Sequence, residues 1–155
     1  MTPKEIYDYI DELYTHNAFV QLCGIKTSGI ACGSASVCLR IDPGKHTNLN
    51  ASLHGGMLMT LMDNATGIAA AAIGKRVVTV SMTVDFIKGA PAGALIEAEA
   101  VITHRDGNML TMNIHVYDKD NDKLMASGIN SMLIIADFPG ITEKWQGSYR
   151  AELNM

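Results

Sequence analysis

The sequence lacks the raw material for a disulfide framework or a zinc site. It has only three cysteines, Cys23, Cys32 and Cys38, an odd number with no Cys-x-x-Cys pair. Such thiols read as small hydrophobes kept reduced. Of the five histidines, His16, His46, His104 and His115 show no His-x-His or His-x-x-x-His spacing, so no metal site is expected. Phosphate-loop, dinucleotide-binding and Gly-x-Ser-x-Gly signatures are missing as well. Charge is sparse, at 18% of residues, and no block of Lys or Arg occurs. Twelve basic against 16 acidic residues leave a net charge of −4, which removes any general drive toward nucleic acid or anionic membranes but leaves room for a small basic patch. The first twelve residues carry Glu5, Asp8, Asp11 and Glu12 where a secretory leader needs a basic start and an apolar run, so the expected address is cytoplasmic.

What is present is 155 residues of which 48% are hydrophobic, enough for one domain with a full core. The chain divides into an N-terminal helical segment (1–23), a core (24–136) and a C-terminal extension (137–155) that reads as extra to the core. Ile6, Tyr7, Ile10, Leu13 and Tyr14 recur at helical spacing behind Thr2, a candidate N-cap, and Pro3. A short apolar stretch, Ala18 to Cys23, ends at Gly24. Ile25 to Ile41 is β-like, and Asp42-Pro43-Gly44-Lys45 breaks it.

Gly55 to Gly74 is a run of 20 residues in which Asp63 is the only ionisable side chain. Leu58, Leu61, Ala65, Ile68 and Ala72 form one helical stripe, and Met57, Met62, Ala69 and Ile73 make the remaining surface apolar too, so the pattern predicts a helix buried nearly all round. A membrane span of this length is disfavoured by four glycines, Asn64 and Asp63, with no second hydrophobic segment. Four strand-like runs follow. Val78, Val80, Met82, Val84 and Phe86 alternate with polar residues, as do the runs at 96–103 and 110–116, and each predicts one buried face. The fourth run is Leu124 to Ile135. Turn sequences at Arg105-Asp106-Gly107-Asn108 and Asp118 to Asp122 make the last three strands an antiparallel meander. One long helix wrapped by a curved antiparallel sheet satisfies this order: an α+β fold of the hotdog architecture.

Two features carry chemistry. Gly55 and Gly56 open the long helix, and free N–H groups there can face an oxyanion with the positive helix end behind them, or the glycines can merely permit a tight junction. Asp63 is either a general base or nucleophile, or a buried structural carboxylate bonded to Thr60 or nearby backbone; burial would raise its basicity. Nine residues of helix put Asp63 about half a turn around and ~13 Å beyond His54. One helix cannot bring both groups to one substrate carbon, so cooperation requires Gly55 of one subunit to meet Asp63 of another. The small residues Thr66, Gly67 and Ala70 would permit that approach, and a homodimer with shared sites follows.

Asn48, His54-Gly55-Gly56, Asp63 on an apolar helix and the strand from Val77-Val78-Thr79-Val80 to Phe86 resemble the hotdog acyl-CoA thioesterases, specifically the group of phenylacetate-pathway thioesterases and thioesterase superfamily member 2. The resemblance covers about residues 24 to 136. It implies hydrolysis of acyl-CoA without a cofactor, in dimers that relatives commonly pair into tetramers. Gly55 would donate its N–H to the thioester oxygen, with Gly56 alongside. His54 and Asn48 would orient the thioester or water, and the partner's Asp63 would activate water or attack directly. Thr79 would stand beside that carboxylate, or be an ordinary strand threonine. Lys75, Arg76, Lys88 and Arg105 are candidates for the coenzyme A phosphates, or solvated turn residues. Of ten methionines, Met57, Met59 and Met62 are the candidates for an adaptable acyl pocket. Rival readings are a hydratase or dehydratase on acyl thioesters, and a non-catalytic acyl-CoA binding module.

Overall fold

A computed structural model describes all 155 residues. Helix α1 (Pro3–Thr15) starts on a capping box: Thr2 accepts from the Glu5 N–H while Glu5 reaches back to the Thr2 N–H, with Pro3 at the first helical position. Its apolar face buries Ile6, Tyr7 and Ile10. Helix α2 (Ala18–Cys23) follows, ending on left-handed Gly24. Strands β1 (Lys26–Ala31) and β2 (Ser34–Arg40) form a hairpin, and the long helix is α3 (Gly55–Ala71). Then come β3 (Lys75–Phe86), β4 (Leu95–Asp106), β5 (Met109–Asp118), β6 (Lys123–Asp137) and β7 (Ser148–Arg150). All pairings are antiparallel, in the order β3-β6-β5-β4-β2-β1-β7, and β4-β5-β6 is the expected meander.

The sheet curls around α3, which packs on β2, β4 and β3. Leu61, Met62, Ala65 and Ala69 are fully buried in one core with Val37, Leu39, Ile114 and Val116 from the strands. The alanines keep the helix close to the strands, as dense packing requires. Burial is not all-round, however. Gly56, Thr60, Asp63 and Gly67, spaced at three to four residues, form a strip that the single chain leaves partly open. A sheet that curves to one side covers one side of a helix fully, and the other is reached only by Tyr14 of α1, at Gly67, and by Thr79 of the edge strand β3, at Asp63.

Two expectations are corrected. The alternation in β3 does not give one buried face, because β3 is the outer edge of the sheet, with Val78 and Val80 44% and 58% exposed. Its pairing with β6 also slips: Thr79 faces Met132 and Ser81 faces Ser131, so Val80 is an extra residue. Such a bulge reverses the phase of the strand. Val77 and Thr79 point inward before it, Met82 and Val84 after it.

The extension after Asp137 is part of the core rather than extra to it. Ile141 is buried, Trp145 Nε1 donates to the Ala72 carbonyl at the end of α3 (2.6 Å), and β7 adds an edge strand to β1. Gly74 makes room for this docking. Its φ is +72°, and a Cβ there would lie 2.3 Å from the Ile141 oxygen.

Arg150 of β7 completes a buried cluster. Glu97 Oε2 accepts from Ser28 Oγ (2.8 Å), Cys38 Sγ (3.1 Å) and the Arg150 guanidinium (2.7 Å). Burial alone would raise the Glu97 pKa, but these three donors outweigh it and hold the carboxyl below its usual 4.5. Burial also pushes the Cys38 thiol up to about 12, so it remains a donor. A carboxyl whose folded pKa is lowered stabilises fully above its unfolded value and ceases to as pH falls through the folded value. Thermal midpoints measured from pH 7 downward should therefore drop below about pH 4.5, the unfolded reference for such a group. Glu97→Gln should lose about 2 kcal/mol at pH 7 and show a shallower acid decline.

Candidate active site

The loop before α3 is pinned by His46. Its buried ring accepts the Asp42 N–H at Nδ1 (2.9 Å), which leaves Nε2–H to donate to the Cys23 carbonyl (2.7 Å). Asn48 then closes an Asx turn. Its Oδ1 accepts from the Asn50 and Ser52 N–H groups, leaving its amide hydrogens free.

His54 is the N-cap of α3, in extended conformation (φ −64°, ψ 131°), and its Nδ1 accepts the Gly56 N–H at 2.9 Å. The imidazole therefore carries its hydrogen on Nε2, which points away from the cap. The Gly56 N–H is spent on this cap and offers a ligand nothing. Glycine at 56 lets the ring sit this close, since a Cβ there would lie 3.1 Å from His54 Nδ1. The Gly55 N–H, by contrast, has no hydrogen-bond partner in the chain.

Gly55 opens on a cavity of about 280 Å³ that also touches Asn48 and Lys88 and is otherwise mainly apolar, lined by Leu58, Phe86, Ile96 and Met125 among others. Sequence reading missed Phe86 and Met125 as lining, since they come from the end of β3 and the start of β6. The three candidate methionines lie elsewhere: Met57 packs on the core, Met59 is half-buried on the helix, and Met62 is fully buried with its Cε facing Gly128.

Asp63 is on the partly open strip of α3, not buried as expected. Its Oδ1 accepts from Thr79 Oγ1 at 2.5 Å. The β3 bulge is what turns Thr79 inward to make this bond. Thr60, the alternative partner, donates instead to the Gly56 carbonyl, so it does not hold the carboxylate. Gly55 and Asp63 do not share the cavity, in keeping with their separation along one helix.

The four cations are not gathered. Only Lys88 lines the cavity. Lys75 pairs with Asp137 (2.6 Å) and Glu143 (2.9 Å), and Arg105 pairs with Glu143 (3.3 Å). Arg76 stacks over the Phe138 ring at 4.8 Å. All three are beyond the far end of α3, a helix of 17 residues that spans about 25 Å. Glu143 and Phe138 belong to the C-terminal extension. No helix is long and apolar enough to cross a membrane.

The fold and site define a hotdog protein: one central helix in a curled antiparallel sheet, with an unpartnered N–H at the helix start and a carboxylate a little over two turns on. A thioesterase superfamily model matches residues 50–125, and the chain is similar to that superfamily from the loop before α3 to the start of β6. The PaaI protein of the E. coli phenylacetic acid degradation operon is similar in structure (TM-score 0.81, 22% identity, 89% of this chain and 99% of that one). So is an Asn-to-Asp mutant of the phenylacetic acid degradation protein PaaI from Thermus thermophilus (TM-score 0.71, 28% identity, 77% and 100%). A hypothetical thioesterase from Streptococcus pneumoniae, solved with coenzyme A, is similar at 16% identity (TM-score 0.69, 74% and 90%). That protein has also been solved with alanine replacing an aspartate and, separately, a threonine sixteen positions later. No curated protein matches the chain.

Proposed function

We propose that the protein is an acyl-CoA thioesterase whose sites are shared between two subunits. The observation that carries this reading is the arrangement on α3: a free Gly55 N–H opening on an apolar cavity, and Asp63 oriented by Thr79 on the opposite, partly open side. The Gly55 N–H polarises the thioester carbonyl and stabilises the oxyanion. Asp63 of the partner subunit takes the proton from the attacking water, or attacks directly as a nucleophile. Asn48 uses its free amide hydrogens, and His54 its Nε2–H, to orient the thioester or the water. The leaving thiolate has a conjugate-acid pKa of about 8.5, so little acid assistance is needed.

The pneumococcal relative supports the choice of residues. The aspartate and threonine replaced in it are sixteen positions apart, the separation of Asp63 and Thr79. Its complex with coenzyme A, and the phenylacetic acid context of the PaaI relatives, support an acyl-CoA substrate. Lys88 at the cavity is the cation best placed for coenzyme A phosphates. Lys75, Arg76 and Arg105 would have to leave partners within their own chain to serve.

The dimer is supported by the open strip around Asp63 and by the unpaired β3 edge with exposed Val78 and Val80. An apolar edge of this length invites strand pairing or aggregation unless covered, and a second copy covers it. Pairing of dimers would use the outer sheet face, where Ile129 and Val101 are exposed.

The test is release of free thiol from a panel of aryl, short-chain and long-chain acyl-CoAs. Equimolar thiol and acid support the reading. Conversion of enoyl-CoA without thiol release would indicate a hydratase, and saturable binding without turnover a binding module.

A further inference from the structure

Tyr14 is in the last turn of α1, its ring packed against the core. Its hydroxyl rests on α3 at Gly67, where a Cβ would lie only 2.9 Å from Oη. Gly67 is four residues beyond Asp63, so it is the next position along the same helix face, where Cβ positions are about 5–6 Å apart. The lack of a side chain at Gly67 is what lets a phenol from another helix reach the neighbourhood of the carboxylate. Thr79 occupies Asp63 Oδ1, while Oδ2 and the Tyr14 hydroxyl have no hydrogen-bond partner in the chain.

We propose that Tyr14 is a positioning residue for the attacking water, which it holds together with Asp63. One hydrogen of the water is bonded to Asp63 Oδ2 and the other to Tyr14 Oη, which aims the lone pair at the thioester carbon held by Gly55 of the partner subunit. The water oxygen bonds to that carbon as its proton passes to Asp63 Oδ2. The C–S bond then breaks as the carbonyl re-forms, and the departing thiolate takes the proton back from Asp63. Burial first, and the charge of Asp63 second, push the Tyr14 phenol up to about 12 against the opposing charge of Arg76. It therefore stays a neutral hydroxyl throughout the range in which such an enzyme works.

This inference rests on Asp63 acting as general base, so Tyr14→Phe and Asp63→Asn are assayed side by side in the full chain, with the acyl-CoA that the wild type hydrolyses fastest. Tyr14→Phe is expected to lower kcat about tenfold, the worth of one hydrogen bond to the attacking water. KM and the thermal midpoint should hold, and added hydroxylamine should divert a larger share of acyl groups to hydroxamate than in wild type. Unchanged kcat, or a raised KM at unchanged kcat, overturns the assignment. If Asp63→Asn is inactive while Tyr14→Phe is fully active, the Tyr14 proposal alone fails; if Asp63→Asn is active, the general-base reading fails first. Should Tyr14→Phe not fold, Gly67→Ala displaces Oη from the helix and must lower kcat in the same way, or the proposal falls.

Discussion

Asp63→Asn is expected to lower kcat for thioester hydrolysis by about 10²- to 10⁴-fold, the range of a positioned general base. Asparagine is nearly isosteric, and its Oδ1 can still accept from Thr79 Oγ1, so the α3–β3 contact survives. What it cannot do is take a proton. KM should change little, because the group acts in the transition state rather than in ground-state binding. A variant that retains wild-type kcat while folded would remove the carboxylate from the reaction. The partly open setting of Asp63 argues against a folding defect as the cause of the loss, since the substitution neither creates a cavity nor strands a buried charge.

Gly55→Pro is expected to cost about 10²- to 10³-fold in kcat, the loss seen when one oxyanion donor is removed. Proline is the sharpest probe because it deletes the N–H and little else. Gly55 is the first helical residue of α3, where proline is favoured. The residue before it, His54, is already in the extended conformation (φ −64°, ψ 131°) that a following proline demands. The nearest atom to a Cβ at this position is in the Phe86 ring, at 3.4 Å, an ordinary contact. The helix should remain intact, with an unchanged thermal midpoint, while turnover falls. Gly55→Ala, which keeps the N–H, should fall much less.

Asp63 was legible in the sequence because it is the one ionisable residue in a long apolar run, and the helix and meander were legible from their periodicities. The hotdog architecture followed from their order. The β3 bulge was not, since an extra residue is defined only against its partner strand. That bulge decides which way Thr79 points, and so half of the candidate site's geometry. The roles of Trp145, Ile141 and Glu143 were hidden for a similar reason: each is fixed by a partner far away in the chain, and a three-residue strand such as β7 has no periodicity to read. Cavity lining from Phe86 and Met125 depends on strand ends converging, and the lysines and arginines could be sorted only once their acidic and aromatic partners were in place. Tyr14 was visible as an apolar-face residue of α1, but nothing in a helical wheel locates its hydroxyl over Gly67.

The shared site is the central claim, and mixed dimers test it most directly. Chains carrying Gly55→Pro and chains carrying Asp63→Asn, each inactive alone, are co-expressed with different affinity tags and assayed for thiol release. In a mixed dimer one site receives both lesions and the other receives neither. Random pairing makes half of the dimers mixed, so activity should return to about a quarter of wild type, and doubly tagged dimers should reach about half. If doubly tagged dimers form and remain inactive, each site lies within a single chain and the account is wrong.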